Sequence, residues 1–248
     1  MPSANAVPGF DPKMKYPLLL EIHGGPFANY GARYATEMQL YAAAGYVVLY
    51  TNPRGSTSYG EEFGNLIHHD YPNHDFDDLM TGVDTMIARG YVAADSLFVT
   101  GGSGGGVLTA WIVGHTNRFR AAVVSKPVIN WESFVLNADN LPFFARYWFG
   151  KMPWEAPEEY RRRSPLTYVG NVTTPTMLVT GEVDWRTPSS EAEQFYGALK
   201  IRKVPTAMLR VPDSSHDFAD HASNMVAKTA YIVGWFDKYR KPTPPTQP

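Results

Sequence analysis

The stretch Leu97-Phe98-Val99-Thr100-Gly101-Gly102-Ser103-Gly104-Gly105-Gly106-Val107-Leu108 decides how this chain is read. A short apolar run, a glycine-framed serine and the opening of a second apolar segment spell strand, sharp turn and helix, the setting of a G-x-S-x-G nucleophile elbow. Gly101 and Gly105 leave room for the turn because glycine has no Cβ and tolerates strained backbone angles. The turn lifts the Ser103 hydroxyl above the sheet, beside a helix N-terminus whose N–H groups favour developing negative charge. Phosphate-binding loops do not fit. No Lys-Ser or Lys-Thr pair follows the glycines, and Val107 and Thr109 stand where a dinucleotide-binding G-x-G-x-x-G needs its third glycine.

Outward from the elbow, apolar runs alternate with amphipathic segments. Strands are expected at Leu18 to Ile22, Tyr46 to Thr51, Leu97 to Gly101, Ala121 to Ser125, Thr176 to Thr180 and Ala207 to Val211. Helices are expected at Ala32 to Ala44, Phe76 to Arg89, Gly105 to Thr116, Ser189 to Leu199 and Ala222 to Tyr239. Short apolar strands separated by helices predict an α/β fold, a mostly parallel sheet with helices on both faces. Asn130 to Tyr168 breaks the alternation and is crowded with aromatics. As an insertion near residues 130–168 it stands where a substrate-binding cap would sit, with most rings in the core. A few of Trp131, Phe134, Phe143, Phe144, Tyr147 and Trp148 are expected to line a pocket.

An activated serine needs a base, and the base needs an orienting group. In sheets of this type they follow in the order serine, acid, histidine. Gly181-Glu182-Val183-Asp184-Trp185-Arg186-Thr187-Pro188 and Pro212-Asp213-Ser214-Ser215-His216-Asp217 each follow a predicted strand, on the same sheet edge as the elbow. Asp184 is assigned as acid and His216 as general base. Glu182 is the rival acid. Asp217 adjoins His216 too closely to face its ring, His221 opens the last helix, and His115 serves a helix C-terminus. A second tight turn, His23-Gly24-Gly25-Pro26, is an HGG-type motif that supplies an oxyanion N–H, with the other N–H from Gly104 and with His23 structural. His68-His69-Asp70-Tyr71-Pro72-Asn73-His74-Asp75-Phe76-Asp77-Asp78 matches no defensible metal spacing. It reads as a solvated loop with Asp75 capping the next helix, and neither metal nor cofactor is expected.

The 248 residues suit one α/β domain, expected over 1–241, with a disordered proline-rich tail over 242–248. Hydrophobic residues at 44% and charged residues at 19% are ordinary for a globular protein. A net charge of −2 disfavours nucleic acid and anionic membranes as partners. With no cysteine, a thiol nucleophile, a disulfide framework and thiolate metal sites are excluded. No apolar run is long enough to span a bilayer, and residues 1–6 lack the features of a signal peptide.

With these pieces in place the chain resembles the catalytic domain of the prolyl oligopeptidase family of serine peptidases, nearest its acylaminoacyl-peptidase and dipeptidyl-peptidase-like branch. The resemblance runs from about Val7 to Tyr239. It rests on His23-Gly24-Gly25-Pro26, Asn52-Pro53-Arg54-Gly55-Ser56, Tyr59-Gly60, Asp75-Phe76-Asp77-Asp78-Leu79, the elbow, Pro153-Trp154-Glu155, Ser164-Pro165, Gly181 with Asp184, Arg186 and Pro188, and Ser215-His216. It implies an α/β-hydrolase fold, a Ser103–Asp184–His216 triad, oxyanion donors at Gly25 and Gly104, and peptide or ester cleavage through an acyl-enzyme.

Three departures stand out. Gly104 replaces the aromatic residue usual after the nucleophile, which removes a wall of the acyl pocket. Lys126 stands where the family is commonly apolar or small. The upstream β-propeller and the first antiparallel strands of the family's sheet are absent from these residues. An open site is therefore expected, with small activated esters as favoured working substrates in vitro, and so is an uncovered sheet edge that favours homo-oligomers. The alternatives are a carboxylesterase acting on small acyl esters and an inactive hydrolase-fold binding module.

Overall fold

The computed structural model describes residues 7–218 and 221–241. The expected tail over 242–248 lies outside the described residues. Six strands form one sheet in the order β2-β1-β3-β4-β5-β6. They are β1 (Tyr16–Ile22), β2 (Val47–Tyr50), β3 (Val92–Gly102), β4 (Ala121–Ser125), β5 (Thr176–Gly181) and β6 (Thr206–Val211). Each adjacent pair is parallel.

Alternation along the strands sorts their side chains to two buried faces. Leu18, Leu20 and Ile22 of β1 join Val99 and Val124 in a core covered by α3 (Asp75–Ala88), α4 (Gly104–His115) and α8 (Ser189–Ile201). Leu19 joins Phe98, Val123 and Val179 on the other face, under α1 (Thr36–Ala43) and α9 (Ala222–Tyr239). Both faces are thus covered, as the near-continuous apolar strands require. Helix α4 is buried from Gly104 through Gly114, so it is apolar all round rather than amphipathic.

Two boundaries differ from the expectation for physical reasons. The first helix begins at Thr36, after an extended Ala35. Asn52 ties down the loop ahead of it by pairing both the N–H and the carbonyl of Tyr30. Strand β3 reaches back to Val92, through exposed Ala94 and Asp95 that carry no apolar signal. A short helix, α2 (Glu61–Asn65), was not anticipated and buries none of its residues.

Between β4 and β5 the expected insertion folds as α5 (Trp131–Asn137), α6 (Leu141–Phe144), a π-helical turn over Ala145–Phe149, α7 (Pro157–Arg163) and a 3₁₀ segment over Pro165–Asn171. Two buried charges seat it. The Glu191 carboxylate of α8 accepts the N–H groups of Ile129 and Asn130 at 2.9 and 2.8 Å. Arg163 donates to the carbonyls of Tyr71 and Trp148, both at 2.6 Å, and lies 4.1 Å from the Phe149 ring centroid. On the opposite side of the sheet, β2 pairs only with β1 among the described residues, leaving its outer edge unpaired. No helix among the described residues is long and apolar enough to cross a membrane.

Candidate active site

Ser103 sits between β3 and α4 with φ 59° and ψ −120°. A side-chain-bearing residue adopts this conformation only where its surroundings impose it. Here the Ser103 N–H donates to Ser125 O of β4 at 3.1 Å, and the Ser103 carbonyl accepts from Val107 N at 3.0 Å. The glycine at 105 is obligatory, because a Cβ there would lie 2.0 Å from the carbonyl oxygen of Ile22. The elbow is therefore pressed against the end of β1, from which the His23-Gly24-Gly25 turn departs.

The acid and base loops arrive from neighbouring strand ends. His216 Nε2 lies 3.0 Å from Ser103 Oγ, and His216 Nδ1 lies 2.8 Å from Asp184 Oδ2. The buried Asp184 accepts three further hydrogen bonds. Arg186 N–H and Thr187 N–H donate to Oδ1 at 3.0 and 2.8 Å, and the Thr187 hydroxyl donates to Oδ2 at 2.9 Å. Burial would raise the Asp184 carboxyl, but the His216 hydrogen bond and charge and the Thr187 donors outweigh it and hold the group below its ordinary range. The rival carboxylates Glu182 and Asp217 are exposed. Chemically, the line of three side chains can move a proton off Ser103 onto His216 while Asp184 fixes the imidazole tautomer.

Gly25 and Gly104 both line the cavity that opens at Ser103. A Cβ on Gly104 would stand 2.9 Å from Gly25 O and 3.1 Å from Gly25 N. The space is taken by the Gly25 turn, which approaches the nucleophile more closely than a side chain at 104 would permit.

The cavity measures about 440 Å³ and is lined by Trp131, Phe134, Phe143, Phe144 and Trp148, five of the six aromatic candidates. Tyr147 is a correction. It is absent from the lining and 53% exposed, its ring tilted against Phe143 with the centroids 5.0 Å apart. In the π-helical turn, Trp148 turns inward and its neighbour Tyr147 outward. Residues that sequence reasoning missed are Phe27, Tyr71, Val107, Val128 and Asn140, with Arg186 and Thr187 from the acid loop. The proline after Tyr71 and the prolines flanking Val128 and Arg186–Thr187 mark turns, but they do not disclose which side chain faces inward. Tyr71 also donates its hydroxyl to Gly104 O at 2.8 Å. Asp139 joins the insertion to the acid loop, pairing with Arg186 at 2.6 Å and donating its N–H to Trp185 O at 2.9 Å.

The other histidines fall where expected. His23 is buried, with Nε2 2.9 Å from Ser56 Oγ, and burial lowers its pKa. His115 ends α4 with Nδ1 2.8 Å from Trp111 O. His221 precedes α9 and is exposed, though its side chain makes no capping bond. Asp75 is a further correction. It is the first residue of α3 and is buried rather than solvated, accepting from Asn73 N–H and Phe76 N–H at 2.8 and 3.0 Å. Burial pushes its carboxyl up to about 7. Among the described residues no three His, Asp or Glu side chains converge as a metal site.

Comparison with known proteins places this geometry. The chain is 44% identical over 227 residues to the uncharacterized peptidase YuxL of Bacillus subtilis, covering 90% of this chain and 35% of that protein. It is 31% identical over 241 residues to dipeptidyl-peptidase 5 of Porphyromonas gingivalis, covering 94% and 35%. Among solved structures it superimposes on Pyrococcus horikoshii acylaminoacyl peptidase with a TM-score of 0.89 at 27% identity, over 95% of this chain and 39% of that one. An acylaminoacyl peptidase in complex with Z-Gly-Gly-Phe-chloromethyl ketone gives a TM-score of 0.90 at 27% identity, over 95% and 39%. The chain spans about a third of the length of the curated relatives it matches. The sheet and its helices are those of the α/β-hydrolase fold. Residues 32–243 match the model of the prolyl oligopeptidase family, and with the elbow, the acid loop and the base loop assembled on one sheet edge, the chain belongs to that family.

Proposed function

We propose that this chain is the catalytic unit of a serine peptidase, cleaving amide bonds after apolar, preferentially aromatic, residues. The observation that carries the proposal is the continuous Asp184–His216–Ser103 hydrogen-bond line, 2.8 and 3.0 Å long, at the mouth of an aromatic cavity. One sheet and one such site among the described residues support treating residues 1–241 as a single catalytic domain.

In this reading Ser103 Oγ attacks the scissile carbonyl as His216 Nε2 takes its proton. The carbonyl oxygen becomes an oxyanion held by the backbone N–H groups of Gly25 and Gly104. The imidazolium formed on His216 is stabilised by Asp184, whose own charge is kept by the Thr187 and Arg186 donors. His216 then returns the proton to the leaving amine as the C–N bond breaks, leaving an acyl-enzyme on Ser103. Water enters by the same general-base route and releases the acid. Trp131, Phe134, Phe143, Phe144 and Trp148 offer the acyl residue apolar surface, with Asn140 and Arg186 the polar exceptions in that part of the lining. A related peptidase that holds a phenylalanine chloromethyl ketone supports an aromatic residue there. The outer edge of β2, unpaired among the described residues, supports self-association.

The test is a fluorophosphonate probe on wild type, Ser103→Ala and His216→Ala, followed by an aromatic aminoacyl p-nitroanilide against a p-nitrophenyl ester. Labelling that vanishes in the first variant and drops strongly in the second, with measurable anilide turnover, is expected. Ester turnover with no anilide turnover would move the reading to a carboxylesterase. No labelling of folded wild type would sink the enzyme reading.

A further inference from the structure

The chemistry above makes no use of Lys126, yet the structure brings it to the base. The residue follows β4 with a φ of 39°, a left-handed conformation that strains any residue bearing a Cβ. Its N–H donates to Val179 O at 2.6 Å, tying the strained turn to β5. The side chain then runs past the residue preceding the nucleophile, where a Cβ on Gly102 would lie 3.0 Å from Lys126 Cε. Glycine at that position leaves the lysine its passage. The ammonium ends 2.6 Å from the carbonyl oxygen of His216 and 5.4 Å from the Phe218 ring centroid. Lys228 of α9 approaches the same ring at 5.5 Å. The charged groups felt by the ammonium are Lys228, Asp217, Asp184 and Glu37, and burial draws its pKa below the ordinary lysine value.

The imidazole of His216 is held through its ring atoms by Ser103, Asp184 and Thr187. Its loop is held at Ser214, whose carbonyl accepts from Val183 N–H at 3.1 Å and whose hydroxyl accepts from Asn224 at 2.8 Å. The Lys126 bond grips the backbone of His216 itself. A charge-assisted bond to a carbonyl is shorter and stronger than a neutral one, which suits an anchor near the surface.

We propose that Lys126 is a positioning residue for the general base, its ammonium fixing the backbone of His216 so that the imidazole spans Ser103 and Asp184. The inference rests on the reading of His216 as the base. An error of 1 Å in placing a catalytic group can cost roughly a hundredfold in rate, so the anchor acts on turnover rather than on substrate binding.

The experiment compares Lys126→Met, Lys126→Arg, His216→Ala and the Lys126→Met/His216→Ala double variant, with ester turnover, the rate of fluorophosphonate labelling and thermal melting as readouts. Lys126→Met is expected to lower kcat and the labelling rate about ten- to a hundredfold with KM within about twofold, the signature of an interaction needed in the transition state. Lys126→Arg, which also donates to a carbonyl, restores most of the loss. In the His216→Ala background Lys126→Met has no further effect. Wild-type kcat in Lys126→Met, a change in KM alone, or the same loss in both backgrounds would overturn the proposal. If Lys126→Met does not fold, Lys126→Gln reads the same split between kcat and KM. If His216→Ala itself keeps wild-type turnover, the base assignment fails. If His216→Ala is inactive and Lys126→Met fully active, only the role of Lys126 fails.

Discussion

The two halves of the cavity are built by different means. On one side, Ser103, Asp184 and His216 stand on loops that leave the ends of β3, β5 and β6. The parallel register sets Gly102 beside Ser125, Ser125 beside Val179 and Gly181 beside Val211, so these loops emerge along one edge at strand spacings of about 4.8 Å. Backbone hydrogen bonds hold that frame, and its geometry is nearly discrete. On the other side, aromatic rings hold one another: Trp131 and Trp148 at 6.2 Å between centroids, Phe134 and Phe144 at 4.6 Å, Phe143 and Trp148 at 5.3 Å. That half has no ladder. Its arrangement is set by packing and by the buried anchors Arg163 and Glu191. In the proposed reading, the side carrying Ser103, Asp184 and His216 makes and breaks bonds and tolerates little displacement, whereas the aromatic side selects and can be reshaped one ring at a time.

The largest expected effect strikes the bond-making side. Ser103→Ala should lower turnover by at least ~10⁴-fold with unchanged melting, measured by burst and steady-state ester kinetics. Asp184→Asn should cost about 10⁴-fold in kcat, because an amide at 184 can turn its NH₂ toward His216 and favour the wrong tautomer. A smaller loss from Thr187→Val would show that the Thr187 hydroxyl holds the carboxylate. Gly104→Ala tests the close approach of the two turns proposed to supply the oxyanion donors. Its new methyl, 2.9 Å from Gly25 O, should push the donors apart and cost about 10²-fold in kcat. If it leaves kcat unchanged, the Gly25 turn is not a donor.

On the selecting side, Trp148→Ala or Phe134→Ala should reduce kcat/KM for an aromatic acyl group roughly 10- to 200-fold while sparing an acetyl ester. An equal loss for both substrates would show that the two halves are not separable.

The smallest effect on turnover comes from Asp75, which opens the helix following the Tyr71 loop. Its folded pKa is raised to about 7 above an unfolded value of about 3.9. The stability this shift contributes is fully present below the unfolded value and is lost as pH rises through the folded one. Asp75→Asn keeps an acceptor and removes the ionisation, so its melting temperature should exceed wild type by a margin that grows from about pH 4 to pH 7. The gain corresponds to about 2–4 kcal/mol by linkage, with kcat unchanged. A margin independent of pH would contradict the raised carboxyl.

The Ser103–Asp184–His216 side is legible in the sequence because each of its parts carries a local signal. The elbow needs its glycines, the acid and base loops each follow an apolar strand, and the order of the three residues matches the direction of the sheet. Tyr147 and Asp75 show where legibility stops. Adjacent aromatics in Tyr147-Trp148 have the same composition signal, and only the phase of the π-helical turn sends one inward and the other to solvent. Asp75 carries the pattern of an exposed cap, yet it is buried, accepting from the N–H groups of Asn73 and Phe76. Tyr71, Val128 and Asn140 reach the cavity through chain reversals that no periodicity records.

By itself, then, the sequence determined the order of strands and helices, the turn that exposes Ser103, and the identities of the three side chains that form the hydrogen-bond line, because these follow from local patterning and from residue chemistry. Only the tertiary structure decided which rings face the cavity, how closely the Gly25 turn approaches Gly104, and that Lys126 reaches the carbonyl of His216. Those depend on side chains distant in sequence meeting at a few ångströms, and such distances are set by the packing of the whole core.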